Sequence, residues 1–146
     1  MKHEVETQWM GKMQFNSLVN GHTLVLDAPE RVGGENNGPI PKPLLLSALT
    51  GCTGMDVVAL LRKENISLTD FNLKVSGTLS KQAPMVYTDI HLIYEMQGNE
   101  NDIPAALNAV NNSQEKLCGV SHMLKQILPL SWQVLFNQKE VFNNQN

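Results

Sequence analysis

Residues 44–61 read LLLSALTGCTGMDVVALL, a stretch typical of one long apolar helix. Its leucine, alanine, valine and methionine side chains fall on nearly every side of a helical projection. A helix that is apolar all round is normally buried all round. Because one sheet in a small domain covers only one side of a helix, the pattern predicts that a second helix, or another subunit, covers the rest.

Cys52 stands at the centre of this stretch, directly after Gly51 and two residues before Gly54. Each glycine costs about 1 kcal/mol relative to alanine inside a helix. Small side chains let another backbone approach closely, so the glycines are expected to make room beside the thiol. Two interpretations stay open here. Cys52 is either a buried structural cysteine, the common case on an apolar helix, or a reactive sulfur held in a tight pocket.

Alternation of apolar and polar residues and the positions of glycine and proline predict the other elements. Asn20-Gly21 between two alternating runs is a strong hairpin signal. The Gly/Pro/Asn-rich residues 28–43 are predicted to form a loop, and Pro43 suits the first turn of the central helix. We expect strands at 4–9, 12–19, 22–27, 70–81, 86–96 and 130–136, helices at 43–63, 102–118 and 121–126, and a frayed tail at 137–146.

The resulting order, βββ-α-ββ-α-α-β, predicts an α+β fold in a single domain spanning residues 1–146. Of the 146 residues, 42% are hydrophobic and 17% charged, as in globular proteins. The net charge is −3 and no basic cluster exceeds the pair Arg62-Lys63, which argues against nucleic acid as a partner. The polar N-terminus and the polar interruptions of the central helix favour a cytoplasmic protein without a membrane partner. In that compartment the two cysteines are not expected to form a static structural disulfide.

Cys52 and Cys118 are the residues best suited to chemistry, because a thiolate is a strong nucleophile. Asp56 follows Cys52 at i+4, and a carboxylate facing the sulfur raises the thiol pKa. Cys118 precedes His122 by four residues, so thiol and imidazole share a face if the helical turn continues. Cys-x3-His is half of a zinc site, but no second half with ligand spacing is present in the sequence. Neither a metal nor a cofactor is therefore expected.

Three segments resemble the OsmC/Ohr family: GGENNGPIPKPLLLSALTGCTGMDVVALLRK, PMVYTDIHLIYEMQG and SQEKLCGVSHML. Trp9, Met13 and Phe15 match a W-x-x-x-M-x-F pattern near the N-terminus of an OsmC-like branch. The resemblance covers about residues 5–135. Both cysteines fall where that family places its pair, one in the central helix after a Pro-rich loop and one ending the second long helix.

The resemblance implies an intertwined homodimer whose long central helices lie between two wrapped sheets. Active members of the family reduce organic hydroperoxides. By matching position, Cys52 would be the peroxidatic thiol that becomes a sulfenic acid, and Cys118 the resolving thiol that forms the disulfide. The implied partners are a second copy of the chain, a small-molecule hydroperoxide and a dithiol reductant that restores both thiols.

The chain departs from the family pattern at the groups that activate the thiolate. Active members use an arginine held by a glutamate ten or nine residues before the cysteine, but here those positions are Lys42 and Pro43. Arg31 is the only arginine before the helix. Arg31, Lys42 and His122 are the candidate activating groups. The alternatives are a non-catalytic dimer that binds a small apolar or electrophilic ligand in the same pocket, and a structural dimer with inert thiols.

Overall fold

The computed structural model describes residues 1–145 and divides the chain into two compact units, Met1–Leu45 and the residues from Leu46 onward. The first unit contains the antiparallel strands β1 (Glu6–Gly11), β2 (Gln14–Val19) and β3 (His22–Leu26), in the order β1-β2-β3. Asn20 and Gly21 both have positive φ, 49° and 81°, as a tight hairpin turn requires. The predicted Asn-Gly hairpin is therefore confirmed.

The segment after β3 is a loop, as predicted, and it is tightly folded around Asp27. The buried Asp27 carboxylate accepts hydrogen bonds from the backbone N–H groups of Ala28, Glu35 and Asn37, at 2.8, 3.1 and 3.0 Å. These bonds hold the pKa of Asp27 below its usual range, the bond from Asn37 having the largest effect. Gly34 lies so close to the carbonyl of Ala28 that no Cβ fits there.

Helix α1 (Pro43–Lys63) has the predicted bounds, and within one chain it is buried on one side only. Only the stripe Leu49, Thr53, Val57 and Leu61 is buried, at a spacing of one helical turn. Leu45 and Met55, on other sides of the helix, are 51% and 75% exposed. The all-round burial expected from the sequence is thus not achieved within one chain. By length and apolar composition alone α1 is also long enough to cross a membrane, a test that core helices pass equally.

The second unit has a four-stranded sheet in the order β4-β5-β6-β7, with the bounds β4 Asp70–Leu79, β5 Tyr87–Gln97, β6 Leu130–Phe136 and β7 Lys139–Asn143. Strands β5 and β6 are parallel, and the other neighbouring pairs are antiparallel. Alternate β5 residues Ile90, Leu92, Tyr94 and Met96 are buried and form one core with the α1 stripe. The predicted α+β class is therefore confirmed.

Strand β7 corrects the prediction of a frayed tail over 137–146. Asn137 and Gln138 both have positive φ, so they form a tight turn that returns the chain along β6. The side chain of Asn137 fixes this turn by accepting from the N–H of Gly98 at 3.1 Å and donating to its carbonyl at 3.0 Å. Asn146 lies outside the described residues, and the single-domain assignment of residues 1–146 stays a prediction.

The connection from β5 to β6 contains α2 (Ile103–Asn112), a π-helical turn (Ser113–Leu117) and α3 (Gly119–Lys125). The predicted helix over 102–118 is thus found nearly in full, but its last turn is π-helical rather than α-helical. The amide of Cys118 donates to the carbonyl of Ser113 at 2.8 Å, an i to i−5 bond that widens the turn. The Gln114 carbonyl accepts instead from the Lys125 ammonium at 2.8 Å. Such turns often occur at functional sites.

Candidate functional site

The two cysteines meet in the second unit, although they are far apart in the sequence. Cys52 lies half-buried at the middle of α1, and Cys118 lies buried at the end of the π-helical turn. The sulfur atoms of Cys52 and Cys118 and a carboxylate oxygen of Asp56 all lie within 4.8 Å of one another. Both thiols are free. The arrangement brings two nucleophiles and one carboxylate into a single cluster.

Cys118 is fixed by its own backbone and by the start of α3. It has an extended conformation, φ −69° and ψ 101°, which ends the π-helical turn and redirects the chain. Its Sγ accepts a hydrogen bond from the backbone N–H of Ser121 at 3.3 Å, in the position of a helix cap. The sulfur therefore caps the first turn of α3 while it faces Cys52 and Asp56.

The surroundings of Cys52 favour the protonated thiol. Burial raises the pKa of Cys52 most, and the neighbouring Cys118 thiol raises it further. The Asp56 carboxylate acts in the same direction, as expected from its i+4 position. The backbone N–H of Val120 lowers the pKa of Cys52 but does not reverse the shift. At neutral pH Cys52 is thus mainly a thiol in the reduced chain.

A buried hydrogen-bond chain leads to the carboxylate of Asp56. Ser113 donates its hydroxyl proton to Oδ2 of Asp56 at 2.9 Å, so its oxygen accepts from Thr53 at 2.8 Å. Thr53 in turn accepts from the hydroxyl of Tyr94 at 2.7 Å. The Gln114 amide donates to the Tyr94 oxygen at 2.6 Å. Each hydroxyl has a single proton, so all of these bonds run the same way. Gln114 donates to Tyr94, Tyr94 to Thr53 and Thr53 to Ser113. Ser113 donates to Asp56, which is the final acceptor.

This chain joins three elements around the thiols: α1, β5 and the π-helical turn. Thr53, Ser113 and Tyr94 are completely buried, and burial raises the pKa of Tyr94 to about 12. Buried hydroxyls of this kind are costly unless each has a partner. The network therefore fixes the carboxylate of Asp56 and the π-helical turn that carries Cys118 in one arrangement.

The two glycines that flank Cys52 differ in their surroundings. A Cβ at Gly54 would lie 3.1 Å from Cδ1 of Leu73 on β4, so the small residue allows the sheet to pack closely. A Cβ at Gly51 would meet nothing within 4 Å in this chain. The expected close approach of another backbone segment is thus seen at neither glycine in the described chain. The only near neighbour is the Leu73 side chain beside Gly54.

The candidate activating residues lie in different parts of the chain. Arg31 is exposed in a short helical turn (Glu30–Val32), and half-buried Lys42 directly precedes α1; both belong to the first unit. His122 is exposed on α3 and lines the same cavity as Cys118. The activating role of all three residues stays a prediction.

Several residues of the site were missed in the sequence. Tyr94 alternates with ordinary core residues of β5, and Gln114 falls on the apolar side of a predicted helix. Thr53 and Ser113 carry no motif. One signal could have identified them: they are polar side chains at positions that the hydrophobic pattern assigns to the core. A buried polar side chain needs a hydrogen-bond partner, so such positions predict a buried network.

A family model described as OsmC-like protein matches residues 34–133. This match covers both cysteines, α1, the π-helical turn and most of the second sheet. The chain therefore belongs to the OsmC-like protein family, as the sequence resemblance predicted.

Individual relatives are consistent with this assignment. Protein YhfA of Escherichia coli strain K12 is 26% identical over 129 residues, which cover 88% of this chain and 93% of the relative. A hypothetical protein from Aquifex aeolicus VF5 has a TM-score of 0.77 and 28% identity, covering 94% of this chain and 98% of that one. An organic hydroperoxide resistance protein OsmC from Legionella pneumophila has a TM-score of 0.65 and 18% identity, covering 92% and 96%. At that identity the last likeness shows the fold.

Proposed function

We propose that this protein reduces organic hydroperoxides with its two cysteines, Cys52 as the peroxidatic and Cys118 as the resolving thiol. The observation that carries the proposal is the proximity of the two sulfur atoms, within 4.8 Å, in a member of the OsmC-like family. The name of the Legionella relative, an organic hydroperoxide resistance protein, supports the substrate class.

The proposed reaction has two steps on the protein. The Cys52 thiolate attacks the O–O bond, takes one oxygen as a sulfenic acid and releases an alkoxide, which takes up a proton to leave as the alcohol. Cys118 then attacks the Cys52 sulfur, its thiol proton leaves with the displaced hydroxide as water, and a disulfide forms. An external dithiol reduces that disulfide by exchange and is itself oxidised.

Burial of Cys118 suits the resolving role. A sulfenic acid that is exposed to more peroxide is oxidised further and irreversibly. Cys118 lies only 2% exposed with its sulfur within 4.8 Å of the Cys52 sulfur, so the second thiol stands next to the sulfenic acid as it forms. The backbone N–H of Ser121 caps the Cys118 sulfur and favours its anion, and the backbone N–H of Val120 lowers the pKa of Cys52.

A second candidate function is a non-catalytic dimer that binds a small apolar or electrophilic ligand at the same thiols. The observation that favours it is the raised pKa of Cys52, caused by burial, by Cys118 and by Asp56. A thiol that stays protonated reacts slowly with peroxide. The absence of a glutamate ten or nine residues before Cys52 points the same way.

The proposed assembly is a homodimer in which a second copy covers the exposed side of α1. Only 28% of the most apolar window of that helix is buried within one chain. An apolar cavity between α1 and β4, lined by Gly51, Met55, Val58 and Leu73 among others, adds to the uncovered surface. Contiguous apolar surface of this kind is typical of an interface.

The test is the mass and thiol content of the reduced protein after one equivalent of cumene hydroperoxide. The proposal expects a Cys52–Cys118 disulfide in the wild type and a sulfenic acid, trapped by dimedone on Cys52, in Cys118→Ser. Turnover with a dithiol should be lost in Cys52→Ser. Unchanged thiols in the wild type, or the same products in wild type and Cys118→Ser, would refute it. Unchanged thiols together with a covalent adduct to an electrophile would favour the binding function.

A further inference from the structure

We propose that the reduced protein binds one thiophilic divalent cation, such as Zn²⁺, through the sulfurs of Cys52 and Cys118 and a carboxylate oxygen of Asp56. The three atoms lie within 4.8 Å of one another and come from α1 and from the end of the π-helical turn. No other set of this kind occurs among the described residues. This inference does not depend on the peroxide chemistry, because it concerns the reduced thiols alone.

The distances are close to those of a tetrahedral site. Zinc binds sulfur at about 2.3 Å and carboxylate oxygen at about 2.0–2.2 Å, so ligand atoms around one ion lie about 3.5–3.8 Å apart. From a separation of at most 4.8 Å, the atoms need to approach by only about 1 Å. Cys52 is half-buried, and Ser113 holds the Asp56 carboxylate in place, so the approach falls mainly to the Cys52 side chain.

The polar surroundings match those of metal-bound thiolates. The backbone N–H of Ser121 donates to the Cys118 sulfur, and the backbone N–H of Val120 lowers the pKa of Cys52. Ser113 donates to Oδ2 of Asp56, which orients the carboxylate as outer hydrogen bonds orient metal ligands. Cys118 and Asp56 therefore each have a donor that stabilises the anionic form.

The charge of the cluster favours a cation. Once ionised, two thiolates and a carboxylate within 4.8 Å would repel one another strongly, and Asp56 makes no salt bridge among residues 46–145. A divalent ion compensates this repulsion and displaces the two thiol protons. A cavity of about 300 Å³, lined by Cys118, Gly119 and His122 among others, lies beside one of the three ligands.

Metal binding and peroxide reduction would exclude each other, because both use the same thiolates. Oxidation of the two thiolates by a hydroperoxide consumes two protons and gives the disulfide, the alcohol and water. The disulfide has no thiolate left to bind the ion, so oxidation should release it. The pair would thus hold a metal ion in the reduced state and lose it on oxidation.

The test is a titration of the fully reduced protein with Cd²⁺, followed by the near-ultraviolet absorption of cadmium–thiolate bonds, and then competition with Zn²⁺. We expect one ion per chain and the release of protons. Saturating Zn²⁺ should also slow alkylation of both cysteines in the wild type, a measurement that needs no variant. Because it removes a hydrogen bond to a ligand, Ser113→Ala should weaken the affinity about 10–100-fold.

The variants separate this site from adventitious binding. Cys52→Ser and Cys118→Ser should lose the absorption, and Asp56→Ala should weaken binding, whereas the exposed carboxylate variant Asp89→Asn should behave as the wild type. Absence of thiolate absorption in the wild type, or full absorption in either cysteine variant, would overturn the proposal. Unchanged affinity in Asp56→Ala would overturn the assignment of the carboxylate. No peroxide is present, so failure here leaves the peroxidase test unaffected.

Discussion

Ser113 donates a hydrogen bond of 2.9 Å to the carboxylate of Asp56, which lies 57 residues earlier in the chain. This one bond joins the buried network of Thr53 and Tyr94 to the carboxylate that lies beside the two thiols. Because Ser113 has only one proton to donate, it must accept from Thr53, and Thr53 must in turn accept from Tyr94. The π-helical turn, which begins at Ser113, is thereby tied to the helix that carries Cys52.

Removing this bond should destabilise the protein. Ser113→Ala leaves Thr53 without an acceptor for its proton and Asp56 without its donor. An unsatisfied buried group costs about 1–3 kcal/mol, so we predict a loss of that size in the free energy of unfolding in urea. Ser131→Ala, which removes a half-buried bond to His91, is the matched control and should cost less. Equal losses of unfolding free energy in the two variants would contradict a specific stabilising role of the buried network.

Asp56→Asn should make Cys52 more reactive. The carboxylate raises the pKa of Cys52, so removing its charge lowers that pKa and increases the thiolate fraction at neutral pH. The asparagine oxygen still accepts from Ser113, which preserves the network. We predict faster alkylation of Cys52 at pH 7.5 or so than in the wild type, measured by mass-resolved peptides. Asp89→Asn is the control, and a slower rate in Asp56→Asn would contradict the assignment.

The proposed dimer predicts different effects at two similarly exposed apolar residues. Met55 on α1 is 75% exposed in the chain and Ile127 is 78% exposed after α3. Exposed substitutions normally change stability by within about 0.5 kcal/mol. Met55→Lys should therefore leave one chain intact but prevent the second copy from covering α1. Sedimentation should show a dimer for the wild type and Ile127→Lys, and a monomer or aggregate for Met55→Lys. A monomeric wild type would refute the dimer.

Asp27 should control the order of the loop that follows β3. Its pKa is lowered by the backbone N–H donors, so the stabilisation is present above the unfolded pKa of about 3.9 and is lost as pH falls through the lower folded pKa. Asp27→Ala should speed hydrogen exchange at the amides of Ala28, Glu35 and Asn37 at neutral pH. Amides of β4 serve as the internal control, and unchanged exchange would contradict this role.

The sequence predicted correctly those elements whose bounds depend on neighbouring residues, and missed those that depend on contacts between residues far apart in the chain. The bounds of α1 and of β6 were predicted correctly, because the Pro43 start, apolar patterning and terminal basic residues are local signals. Strand β7 was missed because its turn depends on Asn137 binding the distant Gly98. The π-helical turn was missed for the same reason, since Ser113 bonds to Thr53 and Asp56 on another helix.

The candidate site shows the same division. The cysteine pair and the effect of Asp56 on Cys52 were accessible from position and i+4 spacing. The hydrogen-bond chain from Gln114 to Asp56 was not, because it is assembled from three elements that come together only in the fold. The prediction that no metal is needed considered Cys118 with His122, whereas the structure groups Cys118 with Cys52 and Asp56.

The pH dependence of Cys52 alkylation separates a reactive from an inert thiol. The pKa of Cys52 is raised by burial, by Cys118 and by Asp56. The thiol form therefore stabilises the fold below the unfolded pKa of about 8.5, and this stabilisation is lost as pH rises through the higher folded pKa. We predict that the alkylation midpoint of the reduced wild type lies above that of a free cysteine. It should fall in Cys118→Ser, because this variant removes the second largest cause of the shift.

The same measurement tests the candidate activating residues. Arg31 or Lys42 could supply the positive charge that the arginine–glutamate pair provides in active members of the family. In that case Arg31→Ala or Lys42→Ala should raise the pH midpoint of Cys52 alkylation. Arg31 should have the larger effect, because its guanidinium stays charged at all relevant pH values. Arg62→Ala, at the far end of α1, is the control. A wild-type midpoint below that of free cysteine would contradict the raised pKa and would favour an active thiolate. An elevated midpoint unaffected by either substitution, together with unchanged thiols after peroxide, would leave ligand binding as the function of the site.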